Sequence, residues 1–170
     1  GTTAVFGGNT ASNRNYSSSN VFWNGSNYRY ITTSQATQFE QSDGAYYWLQ
    51  APSGTAGSAI SFTQPMTLTA AGDLLVKLTS ESAWTNTAGF ATRATGSTTI
   101  TRSSAQPLLV NRLSTDGDIA VFYKDGATVG VIGTLAGDIL IGTNTACLFF
   151  NDLSGHIKPV SSAGANVDNT

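Results

Sequence analysis

Apolar positions in this chain rarely recur at three- and four-residue spacing over a useful length, so almost no amphipathic helix is predicted. Short β-branched and aromatic runs recur instead, separated by Gly, Asn, Asp and Ser, which is the pattern of an all-β chain of short strands and tight turns. Two hairpins stand out. Val21-Phe22-Trp23 and Tyr28 to Ile31 flank Asn24-Gly25, and Ile119 to Tyr123 and Thr128 to Ile132 flank Asp125-Gly126. Asn-Gly and Asp-Gly supply the positive φ angles that tight hairpin turns need. Further turns are expected at Asp43-Gly44 and Asp116-Gly117, and Pro65 and Pro107 are expected at strand starts or edges, where no ladder donor is lost.

Three apolar runs do not alternate with polar residues: Leu74-Leu75-Val76, Leu108-Leu109-Val110 and Ile139-Leu140-Ile141. Strands buried on both faces read this way, and a chain this thin can bury both faces by packing against other copies of itself. One internal echo links Thr69 to Val76 with Thr134 to Ile141, each copy a turn followed by a short apolar strand. The echo suggests two related β modules, residues 1–80 and 81–145, followed by a C-terminal strand and tail over 146–170.

Composition narrows the function. Of 170 residues only 11% are charged, against about 25% in an average soluble domain, and Ser, Thr, Asn and Gly take their place. Such a neutral polar surface suits an extracellular or virion protein better than a cytosolic enzyme. The net charge is −2 and the Lys and Arg are scattered, so no footprint for nucleic acid is expected. No apolar run reaches the roughly 20 residues of a membrane helix, and no membrane insertion is expected. One Cys (Cys147) and one His (His156) preclude an internal disulfide and a zinc cage of four such side chains. No secretory signal is read. The start at Gly1 and the lone Met66 lead us to expect a fragment or processed product.

Asn111-Arg112-Leu113-Ser114-Thr115-Asp116-Gly117-Asp118-Ile119, continuing through Phe122 to Gly126 and Val129 to Gly133, resembles a segment common in bacteriophage tail fibre and tail spike proteins. Gly137-Asp138 to Thr143, Leu148-Phe149-Phe150, Ile157 to Val160 and Asp168-Asn169 continue the likeness. In the first half, Tyr28 to Ile31, Ala51 to Ile60 and Phe62 to Leu68 are similar to a second pattern from such proteins. The resemblance implies the region that precedes a C-terminal intramolecular chaperone domain, which assembles the trimer and often cleaves itself off. The tail over 146–170 would lead to that domain, and the chain stops at Thr170 before it. The implied protein is an intertwined or side-by-side homotrimeric fibre module on the virion, outside the cell. Its partners would be itself, neighbouring tail proteins and a host surface molecule that the resemblance does not specify, a host surface glycan being the candidate that the aromatic residues suggest.

No enzyme is expected, although some phage spikes cleave polysaccharide with paired carboxylates. Asp116 with Asp118, Glu40 with Asp43, and Glu81 with a distant partner are the candidates. Asp116 and Asp118 would share one face of a strand, but Asp is equally at home in turns, where it bonds its own backbone. Gly-x-Ser-x-Gly does not occur, His156 has no nucleophile motif near it, and Cys147 in Ala146-Cys147-Leu148-Phe149-Phe150 reads as a buried small apolar residue. No P-loop or dinucleotide fingerprint is found, and no cofactor is expected. Asp-rich turns could offer oxygens to Ca²⁺, yet no fixed ligand spacing occurs and no metal site is assigned. The aromatics carry the best hint of binding: Trp23, Tyr28, Tyr46, Tyr47, Trp48 and Trp84, with Tyr30, concentrate in the first half. Their rings could stack on sugar faces, or fill a thin core and subunit contacts, where aromatics dominate. In a strand, Tyr47 must point opposite to Tyr46 and Trp48.

Overall fold

Turn chemistry sets the strand boundaries. In the computed structural model, which describes residues 4–9, 13–80, 87–143 and 145–167, Asp43-Gly44 and Asp125-Gly126 hold both residues at positive φ (52° and 81°, 51° and 81°). That backbone makes a two-residue turn whose twist matches the strands it joins. Ala136-Gly137 does the same at 53° and 87°. Asn24-Gly25 works differently. Its hairpin has a four-residue loop, and the Asn24 side-chain oxygen accepts from the Ser26 and Asn27 amides at 3.0 and 2.8 Å.

The fold is all-β and antiparallel, with no helix among the described residues. The chain divides into two units, Gly1–Pro107 and Leu108–Thr170. The first unit contains strands β1 (Ala4–Asn9), β2 (Arg14–Ser19), β3 (Val21–Trp23), β4 (Tyr28–Tyr30), β5 (Ser34–Ser42), β6 (Ala45–Gly54), β7 (Thr63–Leu68), β8 (Leu74–Val76), β9 (Gly89–Thr92) and β10 (Thr98–Thr101). Eight of them form one sheet in the order β1-β2-β5-β6-β7-β8-β9-β10, and β3 and β4 form a separate hairpin. The second unit is a five-stranded meander of β11 (Gly117–Lys124), β12 (Ala127–Leu135), β13 (Asp138–Gly142), β14 (Cys147–Asn151) and β15 (His156–Val160).

One face of the first sheet is covered. The hairpin places Val21 and Tyr30 on Ala36 and Ala51, with Tyr28, Ile60 and Phe62 around them. The Tyr30 ring lies where a side chain on Gly54 would be, and its hydroxyl donates to the Pro52 carbonyl at 2.7 Å. Further along, Leu75, Leu78 and Ala91 form a second small core. This covered face also carries a chain of polar groups. Ser18 donates to Gln38 (3.1 Å), Gln38 donates to Glu40 (3.0 Å), and Arg14 closes an ion pair on Glu40 at 2.9 Å. Burial without these partners would cost each group several kcal/mol, roughly.

The opposite face carries an uncovered row of apolar side chains. Register places Phe39 beside Trp48, Trp48 beside Met66, Met66 beside Val76, Val76 beside Phe90 and Phe90 beside Ile100. None of these six is buried.

Several sequence expectations change here. Pro65 lies inside β7, a strand flanked by β6 and β8, rather than at a strand start or the edge of the sheet. It is tolerated because the β6–β7 register shifts between Trp48 and Gln50, opposite it, and its carbonyl still accepts from the Lys77 amide (2.8 Å). Such a bulge removes the need for a ladder donor. Asp116-Gly117 is no hairpin turn: Gly117 opens β11 opposite Thr134, and Asp116 accepts from the Gly137 amide at 3.3 Å. A module boundary near residue 80 falls within one sheet, because β8 pairs with β9 across it, and the chain divides at Pro107 and Leu108 instead. The echoed octapeptides both form turn-plus-strand, at β8 and β13, but a likeness that short specifies local structure only. Finally, Leu108-Leu109-Val110 is an exposed segment outside any strand, and the other two runs bury only their central residues, Leu75 and Leu140, strongly.

Candidate functional site

The predicted aromatics separate into distinct places. Tyr46 and Trp48 lie on the uncovered face of the first sheet, 37% and 36% exposed. Phe39, directly opposite Trp48 on β5, joins them: its ring centroid is 5.2 Å from Trp48 and 6.2 Å from Tyr46, the latter pair stacked within 20°. Tyr47 points to the other face, opposite Glu40 and Thr67, as the alternation required. There it borders a hollow of about 530 Å³ shared with Asp43, Gln64, Thr69 and Leu75.

Trp23 and Tyr28 pair across the β3–β4 hairpin, their rings edge-on at 5.0 Å, and Trp23 remains 53% exposed. Tyr28 also meets Tyr16 and Phe62 edge-on, each at 6.0 Å, so its role includes core packing. Trp84 lies outside the described residues.

The Phe39–Trp48 pair borders a groove of about 450 Å³. Ser17, Ser19, Thr37 and Gln50 share its face by register and line it with hydroxyl and amide groups. No ionisable side chain lines the groove. The groove thus combines an aromatic surface with neutral donors and acceptors, and its lining holds no cation. Phe39 was missed in the sequence because Gln38 and Glu40 flank it. Its place in the Thr37-x-Phe39-x-Gln41 alternation was the available signal.

Among the candidate carboxylates, Glu40 is buried in an ion pair with Arg14, Asp43 sits in a turn, Asp116 lies just before β11 and Asp118 within it, and Glu81 is outside the described residues. Among the described residues no three His, Cys, Asp or Glu side chains are grouped so as to hold a metal ion. His156 is exposed on β15, and the buried Cys147 thiol donates to the Thr143 carbonyl. No helix among the described residues is long and apolar enough to cross a membrane.

No protein-family model, no curated protein and no solved structure matches this chain.

Proposed function

We propose that the chain is a structural and adhesive, non-enzymatic segment of a bacteriophage tail fibre or spike. It assembles as a homotrimer on the virion, outside the cell, contacts neighbouring tail proteins and contributes to host attachment. One observation carries this reading: in a chain with 11% charged residues, apolar sheet faces stay uncovered. Monomeric proteins rarely expose contiguous apolar patches of that kind. The sequence resemblance over 111–142 supplies the choice of family.

Light scattering coupled to size exclusion tests it. A closed three-fold assembly of 17.7 kDa subunits has a mass of about 53 kDa. A stable folded monomer would sink the trimer reading.

A second reading is favoured by the neutral groove: a carbohydrate-binding tip that recognises a host surface glycan through Trp48 and Phe39. Titration with neutral oligosaccharides, followed by tryptophan fluorescence, should give saturable binding. Trp48→Ala should weaken it about tenfold or more, as loss of an aromatic stacking anchor does. No response to any glycan tested would end this second reading and leave the first intact.

A further inference from the structure

The second unit also has two unlike faces. Leu140, Cys147, Phe149 and Val160 form its buried cluster, with Leu135 packed on it. Alternation sends their strand neighbours to the other side. Register aligns Ile141 with Leu148, Phe150 with Ile157, and Ile132 with Ile141 on that side. Ile139 and Phe122 extend the patch. Phe122, Ile139, Leu148 and Ile157 are 51%, 45%, 50% and 63% exposed. Apolar side chains from all five strands therefore stand on one face, and the C-terminal turn does not cover them, because Gly164 packs against Leu135 on the other side.

We infer that this face is the surface through which one copy of the chain binds another. The inference deepens the homotrimer reading and rests on it. Two features select a second copy as the occupant. First, the aligned positions carry no Asp, Glu, Lys or Arg, so identical faces meet without like charges, whereas a partner of opposite charge has nothing to pair with. Second, the face is broad: apolar side chains stand on five adjacent strands spaced by about 4.8 Å, with Phe122, Ile139, Leu148 and Ile157 each about half exposed. A standard interface takes about 800 Å² from each partner. This face supplies an apolar centre for it, and three such faces turned to one axis cover one another.

The test compares the solution mass of the wild-type chain with that of an Ile141→Lys, Leu148→Glu double variant. The two positions are directly opposed, so the new charges pair across the strands and preserve the sheet, while a charged pair must be desolvated on docking. The wild type is expected to be oligomeric, and the double variant folded by circular dichroism and monomeric, with dissociation shifted by more than about a hundredfold in concentration. Should the double variant not fold, Ile157→Lys on the edge strand gives the reading, with a lowered mass supporting the interface. A wild-type oligomer whose mass neither variant changes overturns this interface and leaves the assembly reading standing. A monomeric wild type overturns both.

Discussion

Asn20 shows how much one side chain decides in this chain. It is buried at φ 60°, a left-handed backbone that Asn tolerates better than other residues with a side chain. Its amide faces the carbonyls of Thr32, Ser34 and Gln35 at 3.1, 3.2 and 2.9 Å, and its oxygen accepts from the Thr32 amide and hydroxyl at 2.7 and 3.0 Å. That network fastens the chain as it leaves the β3–β4 hairpin for β5, and so holds the hairpin over Ala36 and Ala51. Asn20→Ala removes these bonds and leaves an alanine in a left-handed conformation. It should cost about 2–4 kcal/mol of unfolding free energy. Asn20→Gly, which relieves the backbone alone, should lose less. Denaturant titration by circular dichroism measures both, and equal stability of the three chains would remove Asn20 from this role.

At the scale of elements, hairpins dominate, and the quality of each turn is written in its two central residues. Asp43-Gly44 and Asp125-Gly126 use residues suited to positive φ, and both were legible in the sequence. Ala136-Gly137 was not read as a two-residue turn, because Ala is a poor choice at φ 53°. There the β12–β13 pairing imposes the conformation. Leu135 opposes Asp138, and burial of Leu140 between neighbouring strands holds that register. Ala136→Asn should relieve the strain and raise stability by about 0.5–1 kcal/mol, seen as a higher thermal midpoint. A lower midpoint would mean that the turn is not in this conformation. The Pro65 bulge is the converse case, since its register shift depends on β6 and β8 lying on either side and no local signal announced it.

For the whole molecule, the division at Pro107 and Leu108 makes a further prediction. Residues 102–116 contain no strand, and Arg102 is exposed within them. Arg112 is held by the Thr115 and Asp118 carbonyls at 2.9 and 3.3 Å. Exposed backbone without a ladder is the preferred substrate of limited proteolysis. Brief trypsin treatment should therefore cut at Arg102 before Arg112 and release two strand-rich fragments, identified by mass spectrometry. First cleavage inside the β-ladders would contradict the two-unit division. Part of the candidate groove was legible as well. Trp48 and Tyr46 were assigned to one face by alternation, whereas Ser17, Ser19 and Phe39 came to them only through the pairing of β2, β5 and β6.

The sequence by itself determined the all-β class, the turns at Asp43-Gly44 and Asp125-Gly126, and the opposition of Tyr47 to Tyr46 and Trp48. These follow from φ preferences and the two-residue period of a strand, both local properties. Only the tertiary structure decided which face of each sheet is covered. In the first unit that outcome runs against composition, because Ser18, Gln38 and Glu40 are buried, Glu40 paired with a partly exposed Arg14, while Trp48 and Phe90 lie on the uncovered side. Alternation gives every strand two faces. The choice between them depends on the packing of distant segments, here the β3–β4 hairpin on Ala36 and Ala51, and that packing has no local signature.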